Sequence, residues 1–263
     1  MISAFLRCSM ILLAAMAGGL LLIVVGASAQ EGDCPVPERF YEFQPILTKT
    51  AKALAGRREV RIAALGGAST MGAAAGGLEF AWPARLASAL GERFPTARTK
   101  VINLAVGRQT AKQAVERLDH DVLPLKPTLV IWETGTMEAV RGTDVEEFRQ
   151  TVQTGIDKLR AAGVEVVLMT MQFSRATEAV IHFGHHVAVM RELADVNDLP
   201  LFRRRGIMRH WAESGALDLR AGEGEKSREL AAKLYDCIGR AMAEFVARGV
   251  PAGKRANSPG GDR

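Results

Sequence analysis

Cysteine is scarce in this chain: Cys8, Cys34 and Cys237 are the only three among 263 residues. Three cysteines so far apart exclude a disulfide-knit scaffold and a cysteine-rich metal centre. Long runs of a single charge are missing as well. The net charge is +5, and the basic residues are mixed with acids except in Arg203-Arg204-Arg205 and the last residues, so nothing marks a nucleic-acid-binding protein. There is no internal repeat and no sign of a second domain.

What is present begins with an export pattern. Residues 1–29 contain Arg7, an apolar run from Ile11 to Val25, and Ala27-Ser28-Ala29 before Gln30, which predicts a secretory signal cleaved after Ala29. An uncleaved membrane anchor is the alternative, and it is the only membrane contact the sequence suggests. Cys8 lies ahead of the apolar run, too early for lipid attachment. The protein is therefore expected in the periplasm or outside the cell. Without the signal, Cys34 and Cys237 remain, and an even count in an exported chain predicts a disulfide, with two unpaired thiols as the alternative. Residues 30–58, with Pro35, Pro37 and Pro45, read as a lead-in, 59–249 as one domain, and 250–263 as a disordered tail.

Within the domain, short apolar runs predict strands at Val60–Leu65, Lys100–Leu104, Thr128–Trp132, Val164–Met169 and Pro200–Phe202. Helical spacing covers Glu79–Phe94, Thr110–Leu118, Val145–Ala162, Thr177–Asp195 and Lys226–Arg248. The alternation implies an α/β fold, a three-layer α/β/α sandwich on a five-stranded parallel sheet. Such sheets bind ligands beyond the carboxyl ends of their strands. Gly66 and Gly67 end the first strand and present Ser69, either as a nucleophile or, with Thr70, as a helix cap. Ala105-Val106-Gly107 follows the second strand. Glu133, Thr134, Gly135, Thr136, Met137 and Glu138 follow the third.

These turns resemble the motif blocks of the SGNH, or GDSL-type, hydrolases over roughly Val60 to Phe245. Gly67-Ala68-Ser69 matches the Gly-Asp-Ser turn, with Ala68 replacing Asp. Gly107 matches the oxyanion-hole glycine. Gly135-Thr136-Met137-Glu138 matches Gly-x-Asn-Asp, with Met137 replacing the Asn donor. Asp218-Leu219-Arg220-Ala221 is the nearest match to Asp-x-x-His, with Ala221 replacing His. The resemblance implies a flavodoxin-like SGNH-hydrolase fold and a cofactor-free serine site acting on a small-molecule or glycan ester. Ser69 would be the nucleophile, Gly107 part of the oxyanion hole and Asp218 the retained acid. It equally admits an inactive relative that binds a glycan or a protein.

With the family histidine replaced, the candidate bases are Glu133, at the end of the third strand, which reads first as a holder of loop N–H groups, and His185, His186 and His210, which as helix or loop histidines read first as surface or core residues. A carboxylate in a partly dry pocket can accept the serine proton. His182 and His186 have the i, i+4 spacing of two ligands on one helix face, but no acidic or cysteine partner stands at a recognisable spacing, so no metal is assigned. Arg203, Arg204 and Arg205 with Phe202, His210 and Trp211 read as solvated arginines beside a packed tryptophan, or as a rim for an anionic or sugar substrate.

Overall fold

The computed structural model describes residues 34–42, 44–56, 58–220 and 223–251. The export segment and residues 252–263 of the tail lie outside them. Five strands, β1 (Glu59–Leu65), β2 (Arg98–Asn103), β3 (Leu129–Glu133), β4 (Glu165–Met169) and β5 (Leu201–Phe202), form one sheet in the order β2-β1-β3-β4-β5. Every pairing is parallel. The sequence places each of these strands to within about two residues; the central strands β1, β3 and β4 are apolar nearly throughout because both faces are covered, whereas the edge strand β2 is polar and partly exposed in its first half.

Alternation along the strands sorts the side chains between two cores. Ile62, Ala64, Leu129, Ile131, Val167 and Met169 face one core, while Ala63, Leu65, Val130, Trp132, Val166 and Leu168 face the other. The first core is closed by α1 (Thr48–Ala55), α3 (Trp82–Arg93), α9 (Arg204–Ser214) and α10 (Gly224–Ala247). The second is closed by α4 (Ala111–Glu116), α6 (Val145–Ala161) and α8 (Gly184–Val196). Three short helices, α2 (Ala68–Met71), α5 (Thr136–Arg141) and α7 (Arg175–Glu178), complete the set. Continuing the alternation one step past Trp132 puts Glu133 on the α3 and α10 side.

The lead-in is built into this body. Leu54 is buried in the first core, and Glu165 of β4 accepts from the backbone N–H groups of Lys49 and Thr50, both at 2.8 Å, at the start of α1. The predicted disulfide is present: Cys34 is joined to Cys237 of α10, with Cα atoms 5.7 Å apart.

Two expectations are corrected. The helix expected over Thr177–Asp195 is two, α7 and α8, interrupted between Ala179 and Phe183. His182 therefore lies outside the helix that carries His186, and the two do not share a helix face. The arginines after β5 open α9, which the apolar pattern does not reveal, and Arg204 is 0% exposed.

Candidate active site

In a sheet of this order the chain leaves β1 toward one edge and returns to β3 toward the other. The crevice beyond that reversal is where such folds take ligands. Ser69 follows β1, and Glu133 ends β3. The register pairs Leu65 with Trp132, so the residues that follow, Gly66 and Glu133, are neighbours across the switch point.

Glu133 is the hub. Its Oε2 accepts from Gly67 N at 3.3 Å, Ser69 Oγ at 3.1 Å and Thr70 Oγ1 at 2.8 Å. Its Oε1 accepts from Thr136 Oγ1 at 3.2 Å. The side chain is 3% exposed, and four donors with a nearby cation offset the cost of burying a carboxylate. The cation is Arg204, whose Nη1 lies 3.9 Å from Glu133 Oε2 and donates to Ser69 Oγ at 3.0 Å. Arg204 Nη2 also donates to Gln172 Oε1 at 3.3 Å. The Ser69 hydroxyl thus accepts from a guanidinium and directs its proton at a carboxylate.

The supporting shell is polar and bonded. Trp82 Nε1 donates to Thr70 Oγ1 at 3.1 Å, and Asn103 Nδ2 donates to Thr70 O at 2.7 Å. Asn103 Oδ1 accepts from Ala105 N, and Val106 N donates to Gly66 O at 3.0 Å. These bonds fix the Ala105-Val106-Gly107 loop to the serine turn. Gly107 is exposed beside that turn, and a Cβ on it would meet Met71 Sδ at 3.5 Å. Tyr235 of α10 is buried, which pushes its phenol pKa up, and it feels both Arg204, which opposes the shift, and Glu133, which adds to it.

Other sequence candidates stand elsewhere. Gly135 takes a left-handed conformation (φ 92°) that starts α5 and delivers Thr136 to Glu133. Met137 is half-buried. Glu138 is buried and accepts from Ala111 N at the start of α4. Ala68 is exposed. Asp218 is bonded through both carboxylate oxygens to Arg220, whose hydrogen bonds hold its pKa down to about 2. No hydrogen bond joins Asp218, His182, His185, His186 or His210 to Ser69 or Glu133 among the described residues. His185 is exposed, whereas His186 is buried with its ring 5.2 Å from that of Phe148.

The sequence does not point to Asn103, Trp82 or Tyr235 as members of the site; it offers Thr70 only as a helix cap, and Arg204 only as a solvated arginine or part of a rim for an anionic or sugar substrate. The one signal for Arg204 is its place two residues after the short apolar strand β5, at the carboxyl edge of the sheet.

Solved structures share the fold. A two-domain esterase active on acetylated mannans, co-crystallised with mannopentaose, has TM-score 0.61 and 19% identity, covering 79% of this chain and 56% of that protein. This chain thus spans little more than half the length of that relative. A catalytic mutant of an acetylxylan esterase from Geobacillus stearothermophilus has TM-score 0.56 and 14% identity, covering 73% of this chain and 97% of its own. The psychrotrophic esterase EstA from Pseudoalteromonas sp., inhibited by monoethylphosphonate, has TM-score 0.51 and 20% identity, covering 69% and 98%. No curated protein matches in sequence. The Non-GDSL lipase-like family model matches residues 33–252. With that match the chain belongs to the Non-GDSL lipase-like family, and its five-stranded parallel sheet is the fold it shares with these esterases.

Proposed function

We propose that this protein is an exported serine esterase or acyltransferase acting on O-acyl groups of envelope carbohydrate or lipid, with Ser69 as nucleophile and Glu133 as base. One observation carries the reading: the Ser69 hydroxyl lies 3.1 Å from a buried carboxylate and 3.0 Å from a buried guanidinium. A serine hydroxyl is a weak nucleophile until a neighbour takes its proton. Glu133 Oε2 takes it as Oγ bonds to the acyl carbon, and the carbonyl electrons move onto oxygen. Arg204 supplies positive charge beside that developing oxyanion, where the family's Asn donor is absent. The tetrahedral intermediate collapses by breaking the bond to the leaving hydroxyl, which recovers the proton from Glu133. Water, or an acceptor hydroxyl, then removes the acyl group by the same path. The fold shared with esterases of acetylated glycans supports the substrate class, and the Cys34–Cys237 bridge supports an oxidising compartment.

The test measures acetate release from acetylated xylan, p-nitrophenyl acetate turnover and labelling by a fluorophosphonate. Ser69→Ala abolishes all three, and Glu133→Gln lowers kcat/KM by about 10²-fold or more, the scale of general-base catalysis. A second reading has its own observation: Glu133 is already saturated with hydrogen bonds, as in a structural hub, and no histidine joins it. An inactive glycan- or protein-binding relative would leave the fluorophosphonate unreacted while ligand binding survives Ser69→Ala.

A further inference from the structure

The arginine triplet divides its side chains. Arg204 turns to Ser69, while Arg203 and Arg205 line a cavity of about 650 Å³ between the α7–α8 segment and α9. That volume is within the usual range for a small-molecule site, roughly 300–1,000 Å³. Arg191 and Arg209 line the same cavity, against a single acid, Glu178. Glu178 is already engaged, accepting from both Arg205 and Arg209.

Arg203 and Arg191 are left without a carboxylate within salt-bridge distance among the described residues. Among the described residues, the hydrogen bond of Arg203 goes to the neutral carbonyl of Arg39. Burial holds the Arg203 pKa below the ordinary arginine value, and the charges of Arg191 and Arg39 lower it further while Glu42 opposes them. Two aromatic rings line the cavity: Phe183, buried beneath the Arg205 guanidinium 4.5 Å from its centroid, and the half-buried Phe40, with Arg203 at 5.4 Å. Arg191 and Arg203 also line the adjoining cavity, where Arg39 and the acids Glu42, Asp195 and Asp198 stand, whereas the cavity on the Phe183 side holds four arginines and the one acid Glu178.

We propose that this cavity binds a carboxylate-bearing sugar unit, Arg191 and Arg203 pairing with the carboxylate and the half-buried Phe40 ring meeting the sugar. Planar guanidinium forks match a carboxylate's two oxygens. Arg205 Nη1 donates to Gln172 O at 2.9 Å, the Gln172 side chain accepts from Arg204, and Arg204 donates to Ser69, so a chain of hydrogen bonds links the cavity lining to the serine centre. Resting on the esterase reading, the inference narrows the substrate to an O-acylated acidic polysaccharide.

The experiment is equilibrium binding of oligogalacturonate and of neutral xylopentaose to the full-length Ser69→Ala protein. Oligogalacturonate binds more tightly by at least about tenfold, and its affinity falls as salt rises. Arg191→Gln, at an exposed position that does not endanger the fold, weakens it by about tenfold, and Arg203→Gln does likewise. Equal affinity for the two oligosaccharides, or unchanged oligogalacturonate affinity in both arginine variants, overturns the subsite. Because binding is read without turnover, a failed esterase assay leaves this result interpretable, and active enzyme with no acidic preference refutes the subsite alone.

Discussion

Glu133 and Arg204 face each other across the Ser69 hydroxyl, with Oε2 and Nη1 3.9 Å apart and both side chains almost fully buried. Their separation leaves room for the serine oxygen to bond both, at 3.1 Å and 3.0 Å. Each charge offsets the burial cost of the other, and the hydroxyl between them is polarised from both sides.

Removing the cation alone leaves Glu133 buried with its four hydrogen bonds but no opposite charge beside it. Arg204→Met should cost about 3–5 kcal/mol of stability, the scale for breaking a buried pair, seen as a lower urea midpoint. Glu133→Gln added to Arg204→Met should recover part of that loss, because the buried charge is gone. Strictly additive losses in the double-mutant cycle would show that the two charges do not interact.

Gly66 is required by close approach. A Cβ there would lie 2.3 Å from Thr70 Oγ1 and 2.8 Å from Glu133 Oε2. Both groups are held by hydrogen bonds, so neither can yield cheaply. Gly66→Ala should destabilise the fold by about 1–3 kcal/mol, the range for overpacking, and slow fluorophosphonate labelling by displacing Glu133 from Ser69. Full-rate labelling with an unchanged melting temperature would contradict this placement.

The strands and the Ser69–Glu133 pair were legible because both follow from strand ends. Doubly covered strands must be apolar, and their carboxyl ends converge. Arg204 was not legible, since three successive arginines ordinarily mark solvent, and only the partner carboxylate makes burial of one tolerable. The break between α7 and α8 escaped for a different reason: spacing in the sequence detects a helical period and does not show that Ala179 to Phe183 leaves it. The polar opening of α9 hid that helix in the same way.

The Cys34–Cys237 bridge closes a loop of 203 residues in sequence separation. In the chain-entropy account a loop this long removes unfolded-state freedom worth on the order of 5 kcal/mol. Cys237 is buried in the first core, while Cys34 is only partly buried, so Cys34→Ser isolates the loss of the link. Urea denaturation of this variant should give a midpoint well below wild type, and dithiothreitol should shift wild type toward the variant without moving the variant. A midpoint unchanged by both treatments would refute the stabilising role.

His186 predicts the pH response of the second core. Burial lowers its pKa from the ordinary 6.5, opposed by Glu138. Below about pH 6.5 the unfolded chain takes up a proton that the folded chain resists, so stability present above that value is lost as pH falls toward the folded pKa. Most carboxylates titrate below about pH 5, leaving a window between about 6.5 and 5 in which His186 dominates. His186→Phe keeps a ring beside Phe148 and removes the titration. Urea midpoints taken across that window should fall for wild type and stay level for the variant; equal slopes would place the acid sensitivity elsewhere.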